Sequence, residues 1–235
     1  MIVTIGGMYR SGSTFTFNIV REILCEMGST FTIPDNSLEN ALKLAVDSEH
    51  LIIKSHAPDQ LITSLIAKKA ILCICTYRKP EDAIASWLRV FGGTLDATIT
   101  ITKSWLEWHS KAFNTTLNIP YDLIEQDPLN AIYKIQRYLT GLENVDKASV
   151  LTEKYQKTAL KEKFDLLQQT ENTTDLGFTY YDKETFFHRR HISSVKSISA
   201  LEEFSQNEIA YIRDQLNEFV DIDGNYELRN RISEV

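Results

Sequence analysis

The sequence predicts an α/β fold: a three-layer sandwich with a central parallel β-sheet, helices on both faces and a mostly helical C-terminal part. Short apolar runs rich in Ile and Val ("IVTI", "LIIK") alternate with segments of helical periodicity, the pattern of right-handed β-α-β crossovers. The run "AILCIC" has no solvent-facing alternation, as expected of a strand covered on both faces. A glycine-bearing turn, "GGMYRSGS", sits directly between the first apolar run and the first helical pattern.

Taken in order, "MIVTIGG" reads as a strand and Thr14 to Met27 as a helix, with Phe15, Ile19, Leu24 and Met27 near helical spacing. "SLENALKLAVD" is a second helix, "HLIIKSH" a short strand, "DQLITSLIAKK" a third helix and "AILCICTYR" a strand. Pro80 opens "PEDAIASWLRVFG": proline suits the first turn, Glu81 and Asp82 suit the positive end of the dipole, and Gly92 with Gly93 close it. A longer helix spans Leu95 to Phe113, followed by a strand around "TLNIPYDLI" and a helix ending at Gly141. From Glu143 onward the chain reads as mostly helical, with an irregular stretch from Glu171 to Ser197. No repeat, low-complexity tract or linker divides it, so a single domain over residues 1–235 is expected.

The 235 residues are 43% hydrophobic and 24% charged, with a formal charge of −7. That acidity argues against non-specific nucleic acid or anionic membrane as partner, because both reward a positive surface. Any anionic ligand must therefore meet a local cluster of cations. No run nears the roughly 18 apolar residues of a membrane span, and the first residues are strand-like rather than a leader, so a cytoplasmic protein is expected. Three cysteines are too few for a disulfide framework. Cys73 and Cys75, two apart in one strand, are expected in the core rather than on a metal.

Gly7, four residues, Gly12 and then Ser13-Thr14 reproduce the frame of a Walker A phosphate loop, G-x-x-x-x-G-K-[ST], with Ser13 in the lysine position. A loop between a strand and a helix aims backbone N–H groups and the positive end of the helix dipole at one point, which suits an oxyanion. Arg10, Ser11, Ser13 and Thr14 each offer a further donor. Nucleotide hydrolases and kinases of the P-loop class use the missing lysine on the β- and γ-phosphates and an aspartate to hold magnesium. Here the strand "CTYRKP" ends in Arg78 where a metal site would want a carboxylate. Lys54 and His56, two apart near the end of "LIIKSH", point to the same face at the carboxyl end of a strand, where open α/β sheets bind ligands.

"YRSGST", "IKSHAP" and "YRKPEDAIASW" together resemble the P-loop sulfotransferases, which move a sulfuryl group from 3′-phosphoadenosine 5′-phosphosulfate (PAPS) to an acceptor hydroxyl or amine, leaving 3′-phosphoadenosine 5′-phosphate (PAP). The resemblance covers roughly residues 2 to 141 and implies a P-loop NTPase-like fold. It implies that the loop, including Ser11, Gly12, Ser13 and Thr14, cradles the 5′-phosphosulfate with Arg10, and that Arg78 and Ser86, eight positions on, bind the 3′-phosphate. It implies His56 as general base and Lys54 as stabiliser of the transferring group, without a metal. Tyr121 in "IPYDLIEQDP" matches a tyrosine near the adenine, and Arg189 and Arg190 in "FHRRHISS" match a basic loop over the 3′-phosphate, although the glycine of the soluble animal members' "RKG" is replaced by His191. The expected acceptor is a small molecule or a glycan, its pocket built from segments after Ser29, around Leu95 to Phe113 and from Glu143 to Phe187.

Two other functions compete: a P-loop small-molecule kinase using Mg-ATP, and a catalytically silent nucleotide-binding protein on the same fold. Other features have plainer readings. His109 is expected to pack against its helix neighbours, His188 and His191 to flank a basic turn, and Trp87, Phe91, Trp105 and Trp108 to serve helix cores in preference to the alternative of lining an acceptor pocket. "DIDGNYE" is a turn and not a calcium loop, because with Gly224 in the glycine position the first ligand position falls on Phe219. "TEKYQKTALKEKFDLLQQTEN" mixes charges at helical spacing and reads as a solvated face.

Overall fold

The structure, a computed structural model, describes residues 1–175, 180–188, 192 and 197–226. Five strands form one parallel sheet: β1 (Ile2–Ile5), β2 (Thr30–Pro34), β3 (His50–Lys54), β4 (Leu72–Tyr77) and β5 (Leu117–Pro120). Their order is β2-β3-β1-β4-β5, with Ile5 opposite Lys54 on one side and opposite Ile74 on the other. Connections leave β1 toward β2 and β3 and return across it to β4. A crevice at the carboxyl ends follows from that reversal.

Helices cover both faces. Val3, Ile5, Ile52, Ile74 and Ile119 pack against α1 (Ser13–Met27) and α7 (Pro128–Thr140), while Leu51, Ile53, Cys73 and Cys75 face α3 (Gln60–Ala67), α4 (Pro80–Phe91) and α5 (Leu95–Ala112). The period of two along each strand divides its residues between the two cores. Short helices α2 (Leu38–Leu44) and α6 (Tyr121–Gln126) complete this part. Beyond it lie α8 (Val145–Lys154), α9 (Lys157–Asp165), a two-stranded antiparallel pair, β6 (Thr173–Asp175) with β7 (Tyr180–Asp182), and α10 (Gln206–Gln215).

The predicted α/β architecture is the observed one, with three local differences. Thr30–Pro34 is a strand that the sequence reading left unassigned; it pairs with β3 from Thr30 opposite His50 to Pro34 opposite Lys54, and proline is tolerated at such an edge. The strand expected to run through "PYDLI" stops at Pro120, which caps α6 with a backbone of φ −67° and ψ 143°. The stretch from Glu171, expected to be irregular, contains the β6 and β7 pair.

Candidate functional site

Residues 6–12 connect β1 to α1 and stay tied to β4: the Gly6 amide donates to Ile74 O at 2.9 Å and the Met8 amide to Thr76 O at 2.8 Å. Arg10 (φ 62°) and Gly12 (φ 86°) both take left-handed backbone conformations, which folds the loop back over the first turn of α1. For arginine this costs about 1–3 kcal/mol, and such strain persists where surrounding contacts fix it. Helix α1 has no acidic residue in its first turn, so the positive end of its dipole stays uncompensated by an Asp or Glu.

Above this loop opens a cavity of about 610 Å³. Gly12, Ser13 and Thr14 line it from the loop, Lys54 and His56 from the end of β3, and Arg78, at the end of β4, with Ser86 from the α4 side. The carboxyl ends of three adjacent strands therefore converge on one space. Tyr121, at the first position of α6, lines the same cavity, and the Arg78 guanidinium lies 4.5 Å from its ring centre. Arg189 and Arg190 lie outside the described residues.

The hydrogen bonds assign orientations. Lys54 Nζ donates to Thr14 Oγ1 at 2.8 Å, fixing the ammonium over the start of α1. His56, two residues beyond β3, sets Nδ1 2.6 Å from Gly7 O; a carbonyl only accepts, so Nδ1 carries the proton and Nε2 keeps a lone pair. Tyr9 stacks on the imidazole with ring centres 3.9 Å apart, and Trp87 meets Tyr9 edge-on. Arg10 Nε donates to Ser86 Oγ at 3.0 Å, so two residues that the resemblance assigns to different phosphates touch each other in this state.

Ser11 departs from expectation. Its hydroxyl is fully buried and contacts Met8 O (2.6 Å), Thr76 O (3.0 Å) and Thr76 Oγ1 (2.7 Å), so it braces the loop against β4 instead of facing the cavity. A small polar side chain in a tight loop satisfies nearby backbone first.

Electrostatics follow from burial. The pKa of His56 is pushed down to about 3 by desolvation and by the Lys54 charge, against a raising contribution from the Gly7 carbonyl. Burial also lowers Lys54 to about 8. Arg10 falls to about 10, chiefly by burial, with Arg78 and Arg89 pushing the same way and Tyr121 opposing them. Arg78 is only 8% exposed and has no ion-pair or hydrogen-bond partner among the described residues, although its side chain faces the cavity. A buried cation without a counter-charge is costly unless an anion joins it. The site can therefore hold a polyanion and present a neutral imidazole nitrogen beside it.

Other expectations divide. Trp87 and Phe91, assigned to helix cores, line the cavity, and no residue from Leu95–Ala112 or from the strand after Ser29 does. Trp105 instead donates to Gly6 O at 3.0 Å and Trp108 to Thr63 Oγ1 at 3.0 Å. His109 is fully buried, between Tyr226 Oη (2.9 Å) and Asn118 Oδ1 (2.6 Å), and packs on Trp105. Cys73 and Cys75 are buried with sulfurs 3.8 Å apart. The charged stretch around α9 is not a uniformly solvated face: Tyr155, Leu160 and Phe164 are buried, and Lys157 lines the cavity. Its ammonium pairs with Glu125 and donates to Tyr121 Oη at 2.9 Å. No local periodicity signals a lysine turned inward at the first position of a helix. Tyr9 was legible only as a member of the loop.

No protein-family model and no curated protein matches the chain. Solved structures do. A mouse sulfotransferase, SULT7A1, complexed with PAP superposes with a TM-score of 0.67 at 13% identity, over 92% of this chain and 83% of the other. Retinol dehydratase with androsterone and inactive cofactor PAP gives 0.60 at 13% identity, and with retinol and PAP 0.61 at 14%, each over 92% of this chain and 80% of that one. At such identity the likeness establishes the fold: the chain has the P-loop NTPase-like α/β architecture on which these PAP-bound enzymes are built.

Proposed function

We propose that the chain, as one domain over residues 1–235, is a PAPS-dependent sulfotransferase that transfers a sulfuryl group in line to the hydroxyl (or amine) of a small-molecule or glycan acceptor, in the cytoplasm and without a metal. The observation that carries this reading is the convergence of Arg10, Lys54 with His56, and Arg78 from three adjacent strand ends on one cavity of about 610 Å³. The retinol and androsterone complexes of retinol dehydratase add support for a small acceptor. Among the described residues no helix is long and apolar enough to cross a membrane.

The residues fit the donor. Arg78 is a buried cation facing the cavity with no counter-charge among the described residues, which suits a 3′-phosphate, and the loop amides with the α1 dipole suit the 5′-phosphosulfate. Bound there, PAPS supplies a sulfuryl group on a phosphate leaving group. Arg10, now bonded to Ser86, would stabilise the negative charge that the phosphate leaving group gains as its bond to sulfur breaks. Lys54, held over Thr14, stabilises the sulfuryl oxygens. His56 Nε2 takes the acceptor's proton as the new bond to sulfur forms, and its Nδ1–H to Gly7 O keeps the ring in the tautomer that can do so. Trp87 and Phe91 with Tyr9 wall the cavity beside His56 and exclude water from that face.

Thermal shift tests the reading against the kinase alternative. PAP in the presence of a chelator is expected to raise Tm; stabilisation by Mg-ATP alone would overturn it. Transfer of label from PAPS to a panel of alcohols, phenols, sugars and amines then separates an enzyme from a silent binder.

A further inference from the structure

Among the described residues five cations line the cavity, Arg10, Lys54, Arg78, Arg89 and Lys157, against one carboxylate, Glu125. In a chain of net charge −7 that concentration is local and one-sided. Arg89 is neutralised outside the cavity by Glu203 at 2.9 Å. Lys157 is neutralised inside it by Glu125, which also accepts a hydrogen bond from Ser197 Oγ. Lys157 and Arg78 flank the same ring: the ammonium is 5.2 Å and the guanidinium 4.5 Å from the centre of Tyr121. Burial and the charges of Arg78 and Arg10 lower the Lys157 pKa to about 8, which marks the three as close enough to repel.

Resting on the sulfotransferase reading above, we propose that Lys157 is a further binding residue of the site, exchanging Glu125 for the donor's 3′-phosphate when the nucleotide enters. A phosphate monoester carries nearly two negative charges at neutral pH against one on a carboxylate, so it competes well for the ammonium. The lysine stem is flexible enough to turn from one oxygen to another. Glu125 does not become an orphan on release, because the Ser197 hydroxyl already donates to it. The exchange makes the Lys157–Glu125 pair a reader of that phosphate: a nucleotide lacking it leaves the pair closed.

The test compares PAP with adenosine 5′-phosphosulfate, which keeps the sulfonate end and lacks the 3′-phosphate, by calorimetry on wild type, Lys157→Met and Glu125→Gln. Lys157→Met is expected to weaken PAP by about 10- to 100-fold, the usual range for a charged hydrogen bond, and to change adenosine 5′-phosphosulfate less than about twofold. Glu125→Gln is expected to tighten PAP several-fold by removing the competing carboxylate, and it decides the matter if Lys157→Met fails to fold. Equal loss for both nucleotides, no loss for either, or weaker PAP binding by Glu125→Gln overturns the exchange while leaving the sulfotransferase reading intact. A wild type that binds no PAP removes that reading, and the exchange with it.

Discussion

At the scale of single residues, Arg78 is a buried guanidinium that rests on the Tyr121 ring and has no counter-charge among the described residues. Removing it relieves a desolvation penalty in the free protein and takes a counter-charge from a bound phosphate, so stability and binding should move apart. Arg78→Ala is expected to leave Tm unchanged or higher while PAP affinity falls at least tenfold, read by thermal shift and calorimetry on one preparation. His56→Ala should lower kcat by about 10² to 10⁴ and leave PAP affinity nearly intact. The depressed pKa values fix the pH dependence. His56 is neutral in the free protein at all pH values above about 3, so kcat/KM should show no acid limb near the ordinary histidine value of about 6.5. Lys54 loses its proton as pH rises through about 8. A bound anion favours the charged form, so PAP affinity should fall above pH 8 and binding there should take up protons, measurable as a buffer-dependent enthalpy. Of these residues, Arg10, Lys54, His56, Arg78 and Ser86 were named from the sequence, through the loop, the strand ends and the family resemblance, and the structure brings them to one cavity. Lys157 was not: it lies in a stretch of mixed charge, and its inward turn is set by Tyr121 and Glu125, more than thirty residues away.

Among the elements, the first loop tolerates least. A Cβ at Gly7 would collide with Ser13 and with the Thr76 hydroxyl, which is part of the bracing that Ser11 completes. Gly7→Ala is expected to destabilise by about 1–3 kcal/mol, seen as a lower urea midpoint, and to weaken PAP in parallel because the amides move with the loop. An unchanged midpoint would mean that the loop relaxes freely. The central strands were readable because burial on both faces leaves continuous apolar runs, and their helices because caps and glycines mark the ends. Edges were harder. β2 has the β-branched residues of a strand in "TFTIP", yet its role at the sheet edge depends on a partner, β3, that lies some twenty residues on. The end of β5 was misread because "YDLI" suits a strand on propensity, while Pro120, lacking an amide to continue the ladder, turns the chain into α6 and aims Tyr121 at the cavity.

Over the whole molecule, the C-terminal third is fastened to the site through the first turn of α4. Glu81, 2% exposed, pairs with Lys79 at 2.8 Å and in two-pronged fashion with Arg213 of α10, whose guanidinium also holds the carbonyls of Ile222 and Asp223. Asp82 accepts from the Ala200 amide at 2.6 Å. Glu81→Ala strands two cations, both partly exposed, and should lower Tm by about 5–10 °C in differential scanning fluorimetry. One further property comes from the sulfur atoms. Cys25 is exposed, whereas Cys73 and Cys75 are sealed in the core, with Cys75 directly against Gly6 at the root of the loop. A mild alkylating reagent under native conditions should therefore consume one sulfhydryl at once and the other two only during breathing of the sheet. The slow phase becomes a clock for motion beneath the cavity, and nucleotide should make it tick more slowly.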